Sequence, residues 1–135
     1  MRIFKISLAI TLISTLFSCD PSGDYQYWIE NNSDSTLFLE YKELYNDSIF
    51  VEQINLNTKV LIRAYGSING IHDYGDNFLN RYFETFQIFT DSINGTLISK
   101  NPTIRNNWNY DIKKTGSFGI SGINIYTFKI QNKDL

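Results

Sequence analysis

Hydrophobic and polar positions fall into two regimes along this chain. Residues Ile6 to Phe17 form a charge-free apolar run of twelve, preceded by Arg2 and Lys5. Beyond residue 24 the apolar residues come at every second position, in short segments separated by polar turns. In "DYQYWIENN" Tyr25, Tyr27 and Ile29 share one face and Trp28 takes the other; in "TLFLEYKELY" Leu37, Leu39 and Tyr41 share a face against Glu40 and Lys42. This period of two predicts half-buried strands. "IFVEQI", "TKVLIRAYG" and "ETFQIFTDS" read as further strands, and Asn94-Gly95 as a hairpin turn into "TLISK". "NNWNYDIKK" puts Trp108, Tyr110 and Ile112 on one face, and "INIYTFKIQ" does the same for Tyr126, Phe128 and Ile130. Both Trp28 and Trp108 are expected to pack in the core.

Two segments break the alternation. "GSINGIHDYGDN", residues 66 to 77, is rich in Gly, Asn and Asp, and "TGSFGISG", residues 115 to 122, in glycine. Between the first and the next strand, apolar positions 78, 79, 82 and 83 have helical spacing. They predict a short helical segment near 77–83, capped by Asp76. Seven or eight short strands divided by turns predict an all-β fold, an antiparallel β-sandwich, with the immunoglobulin arrangement as a candidate topology. The expected layout is residues 1–18 as a leader, 19–24 as a tether ("DPSGD" after the cysteine) and 25–135 as a single domain.

The leading apolar run is too short for a bilayer core, which needs about 20 apolar residues. With its basic flank it reads as a secretory signal. It ends in Leu16-Phe17-Ser18-Cys19, and Cys19 is the chain's one cysteine. That ending resembles the lipobox of bacterial lipoproteins, with Phe17 bulkier than the pattern usually carries. The resemblance implies cleavage before Cys19, thioether lipidation of Cys19 and acylation of the new amino terminus. It places the protein in the cell envelope, lipid-anchored, at an outer membrane's periplasmic face or at the cell surface. Several acyl chains give stable anchoring with no transmembrane helix.

Charge and composition narrow the picture further. All fourteen acidic residues and ten of the twelve basic ones follow residue 18, a net charge of −4. No basic surface for nucleic acid is expected. Nine Tyr, ten Phe, two Trp and frequent Ile favour strands, and the Asn and Ile bias resembles the usage of Bacteroidetes proteins. The "W-x-Y" strand and the "YTFKI...DL" ending are likewise similar to small uncharacterised Bacteroidetes lipoproteins, a likeness that carries no activity. Asp34-Ser35-Thr36, Asp47-Ser48-Ile49 and Asp91-Ser92-Ile93 resemble the O-glycosylation site of that group, so Ser35, Ser48 and Ser92 are candidate acceptors. Asp-Ser pairs are also good turn formers.

Candidate chemistry is sparse. His72 is the one histidine, too few for a zinc site. Asn69, Asp73, Asp76 and Asn77 offer oxygens but lack EF-hand spacing, so no metal or other cofactor is expected. There is no G-x-S-x-G elbow. Tyr74 and Phe118 are aromatics placed on loops, where recognition residues concentrate. With His72, Asp73 and Asp76 they mark a candidate interaction surface. The expectation is a membrane-tethered, non-catalytic interaction module with a protein or glycan partner. An inhibitor or immunity-type lipoprotein is the alternative, and a small hydrolase ranks behind both.

Overall fold

The computed structural model describes residues 22–68, 70–91, 95–115 and 121–135. Cys19, Ser92, Phe118, Asn69, Asn94 and the leader lie outside them. Seven strands form two facing sheets: β1 (Gly23–Asn31), β2 (Leu37–Glu43), β3 (Ile49–Ile54), β4 (Thr58–Ser67), β5 (Phe83–Thr90), β6 (Trp108–Thr115) and β7 (Ser121–Ile130). One sheet has the order β4-β1-β7-β6 and the other β3-β2-β5. The all-β sandwich expected from the alternation is what forms.

Its topology carries two surprises. Every pairing is antiparallel except that of β1 with β7, which is parallel, Gly23 opposite Gly122 through Asn31 opposite Ile130. A parallel pair needs a long crossover. Here nearly the whole domain serves as that crossover, which no local pattern announces. Lettered A to G, the sheets are D-A-G-F and C-B-E, whereas an immunoglobulin constant domain has A-B-E-D and C-F-G. The expected helical segment is a single 3-10 turn, Gly75–Asn77, followed by turns to residue 82. Asp76 lies inside that turn and does not cap it. Asp73 accepts the Gly75 amide instead, at 3.1 Å. "TLISK" contributes only one bridge, Leu97 against Phe89.

The core is largely aromatic. Tyr25, Tyr27 and Ile29 of β1 and Tyr126, Phe128 and Ile130 of β7 face Leu37, Leu39 and Tyr41 of β2, all fully buried. A register shift after Lys42 lets both Phe83 and Phe86 of β5 turn inward. Rings meet edge-to-face across the sheets, Tyr27 with Phe83 at 5.3 Å and 89°, Phe86 with Trp108 at 5.9 Å and 62°. That arrangement sets positive ring edges on negative faces. Trp108 is core, its indole N–H donating to the Pro102 carbonyl at 2.7 Å. Trp28 is not. Its neighbours in register are Leu61 and Thr127 on the outer face. There it stays half-buried, with the Lys59 ammonium 5.2 Å from its ring centre.

Both ends are closed by buried amides. At the end holding the β1–β2 turn, the Asn31 amide donates to the carbonyls of Ser35, Ile54 and Asn55, and its oxygen accepts from Ser33. At the other end, where β1 begins, Asn124 does the corresponding work. Its oxygen accepts the Tyr110 hydroxyl at 2.7 Å and the His72 amide at 3.1 Å, and its nitrogen donates to the carbonyls of Asp24 and Gly70.

Candidate functional site

The sequence-marked loop lies across the end where the chain enters β1. The three-stranded sheet covers only part of the larger sheet's inner face, and residues 70–79 cover much of the rest. They are held by hydroxyls. Tyr27 donates to the Phe78 carbonyl at 2.5 Å, and Tyr126 donates to Asp73 at 2.9 Å while accepting the Tyr74 amide at 3.2 Å. Burial pushes the Tyr27 and Tyr126 hydroxyls well above the ordinary phenol value, so both remain protonated donors. Close approach requires glycine at two paired positions, Gly23 beneath the loop and Gly122 against β6 and the Ile71 side chain. A Cβ on Gly23 would lie 2.1 Å from the Gly70 carbonyl oxygen, and one on Gly122 would lie 2.8 Å from the Lys113 carbonyl oxygen.

His72, Asp73, Tyr74 and Asp76 are therefore together, yet they serve different ends. Asp73 pairs with Arg105 at 2.6 Å, and the guanidinium lies over the rings of Phe78, Tyr110 and Tyr126. Burial works to raise the Asp73 pKa, but hydrogen bonds from Arg105, Tyr126 and the Gly75 amide outweigh it and hold the carboxylate below its usual range. Tyr74 is turned inward, stacked on Tyr25 at 4.8 Å and covered by Arg81 at 4.3 Å. It is a packing residue rather than an exposed hook. His72 and Asp76 are exposed. Among the described residues, no three of His, Cys, Asp and Glu gather where they could hold a metal ion. Ser48 is exposed in its turn, while Ser35 is half-buried, its carbonyl taken by Asn31 and Ser33.

Beside this closed region lies an open groove of about 1090 Å³. Its position follows from strand lengths. β3 begins at Ile49, opposite Lys42, so residues 44–48 leave the sheet as a turn. The turn is fixed by the Asn46 amide on the Glu43 carbonyl at 3.2 Å and the Ser48 amide on the Asn46 side chain at 3.0 Å. The facing wall is the end of β4, an edge strand with β1 on one side only. Residues 80–82 close the floor, the Leu44 amide donating to the Tyr82 carbonyl at 2.9 Å.

The walls are preformed. Tyr65 and Tyr82 stack at 4.1 Å and 4°. Glu43 accepts Arg63 Nε at 2.5 Å and the Tyr65 hydroxyl at 3.1 Å. Burial, then the Glu43 charge, raises the Tyr65 hydroxyl. The rim is different: Tyr45 is 96% exposed and Ile68 82% exposed. Of these, only Ile68 fell inside a loop marked from sequence. A signal for Tyr45 existed in "KELYND", where two apolar residues in succession break the alternation. Compared with family models, curated proteins and solved structures, the chain matches none.

Proposed function

We propose that this protein is a lipid-anchored, non-catalytic binding module of the cell envelope, held through Cys19, with the groove between residues 43–46 and the end of β4 as its partner site. The observation that carries the reading is a groove whose walls are held by stacked rings and hydrogen bonds and whose rim carries unpacked apolar side chains. A Tyr at 96% exposure buries almost none of its ring in the fold. Large exposed apolar residues around a preformed concavity are the usual mark of a binding surface. The partner is a protein or glycan able to lie against stacked tyrosines and meet the Arg81 guanidinium at the edge. The anchor rests on the lipobox-like Leu16-Phe17-Ser18-Cys19.

Each half has its own test. Radiolabelled palmitate is expected to enter wild type and not Cys19→Ala; equal labelling of the two sinks the anchor. For the groove, a photo-crosslinking amino acid replaces Asn46 or Asn80 at the rim, or Leu56 at the far end, and intact cells are illuminated. A common adduct from the two rim positions and none from Leu56 is expected. Adducts that do not distinguish the positions would discard the groove as the site.

A further inference from the structure

The groove and the chain's point of attachment are at the same end of the sandwich. Gly23 pairs directly with Ser67, the last residue of β4, and Ile68 follows it into the groove rim. Three residues, Asp20 to Ser22, separate Gly23 from Cys19. Fully extended, that stretch spans at most about 14 Å. Paired strands lie about 5 Å apart. A chain anchored at Cys19 therefore keeps Ile68 and its neighbours within a short reach of the bilayer surface.

What the structure presents at that end fits an interface. Tyr45 and Ile68 are the two most exposed large apolar residues among those described, and Leu44 adds a third partly exposed one. The exposed apolar residues of the far end, Leu56, Leu97, Ile104 and Leu135, reach at most 52%. Tyrosine is an interfacial residue by nature, with an apolar ring that enters the acyl boundary and a hydroxyl that stays with headgroups and water. Charge supplies no pull of its own. Arg81, Lys113 and Lys114 are exposed at this end, but so are Asp24, Asp47 and Asp76. A balanced surface of this kind contacts a bilayer through apolar side chains and not through anionic lipid.

We infer that Tyr45, Leu44 and Ile68 form a membrane-contact rim, and that the bilayer interface is its occupant. The lipid supplies affinity, and the rim sets orientation, holding the groove beside the bilayer, where a partner lying at that surface can enter it, and the Asn31 end away from the membrane. This rests on the anchored reading of Cys19, so its test supplies the anchor chemically. Because Cys19 is the one cysteine, the mature chain beginning at Cys19 can be coupled through its thiol to a maleimide lipid in zwitterionic phosphatidylcholine vesicles. Indole probes are introduced one at a time as Tyr45→Trp, Ile68→Trp and, at the far end, Leu56→Trp.

The expected result is a blue-shift and loss of the added emission by acyl-brominated lipid for the two rim probes, unchanged between low and high salt. The Leu56→Trp probe is expected to show neither. Rim probes that stay water-exposed and unquenched overturn the inference, as does equal quenching of all three. An unquenched rim that still crosslinks to a protein in cells assigns it to a protein partner and leaves the function proposed above standing. The coupling bypasses cellular lipidation, so a failure here is separate from a failure of palmitate labelling.

Discussion

Two neighbouring loops at one end of this sandwich are built on opposite terms. Residues 70–79 have their polar backbone claimed by buried hydroxyls and an amide: Tyr27 on Phe78, Tyr126 on Tyr74, Asn124 on Gly70 and His72. Their aromatic, Tyr74, is stacked inward. The turn at 43–46 and the end of β4 have hydrogen-bonded backbones, yet hold Tyr45 and Ile68 out in water. Loop composition does not separate the two, since both contain Tyr and Asn. The difference lies in what is underneath. The first loop covers inner-face tyrosines that need partners, whereas the second borders a sheet edge that leaves a gap. An aromatic on a loop is therefore a recognition candidate only when the sheet below makes no claim on it.

The sharpest way to break this contrast is to remove the amide that fastens the closed loop. Asn124→Leu removes the acceptor of the Tyr110 hydroxyl and of the His72 amide, and a donor to the Asp24 and Gly70 carbonyls. With buried unpaired groups costing ~1–3 kcal/mol each, a loss of about 3 kcal/mol in urea unfolding is expected. A loss below ~1 kcal/mol would mean that the loop is not fastened there. Gly23→Ala tests the close approach itself, because its Cβ would sit against the Gly70 carbonyl. Overpacking of this sort costs about 2 kcal/mol. Raised amide exchange at residues 70–74 is the accompanying signature.

A smaller effect concerns the Asp73 latch. Its carboxylate pKa is depressed in the folded state, so its contribution is present above the unfolded value near ~3.9 and is lost as pH falls through the folded one. Wild type is expected to be more stable than Asp73→Asn at neutral pH, with the gap closing below about pH 4. A gap that stays constant down to acid would show that the ion pair with Arg105 is not its source. The smallest stability change belongs to the open side. Tyr45→Ser with Ile68→Ser is expected to alter unfolding by no more than ~0.5 kcal/mol, as exposed positions do. The same pair is expected to abolish the rim crosslink. Loss of stability comparable to that of Asn124→Leu would make the rim structural and erase the contrast.

Much of the sandwich was legible residue by residue. Tyr25, Tyr27, Leu37, Leu39, Tyr126 and Phe128 are buried on the faces their alternation predicts, because strand geometry makes side-chain direction a property of odd and even position. Trp28 shows the limit of the same rule. Its parity correctly put it opposite Tyr27, but whether that opposite face is covered depends on which sheet lies there, and none does. The candidate site was legible only in part. Ile68 lies in a loop marked from composition, whereas Tyr45 was hidden in what read as the tail of a strand. β2 stops at Glu43 because β3 begins only opposite Lys42 and β5 only opposite Glu43, facts about its partners and not about "KELY".

By itself, then, the sequence determined the strand content, the inward faces and a domain of aromatic core, since each of these follows from local stereochemistry and the hydrophobic effect acting on neighbours in sequence. Tertiary structure alone decided three other matters. It set the parallel pairing of β1 with β7 across nearly the full length of the domain, turned Tyr74 inward and left Tyr45 outside. Each of these depends on which distant backbone arrives alongside, and a one-dimensional pattern holds no term for that contact.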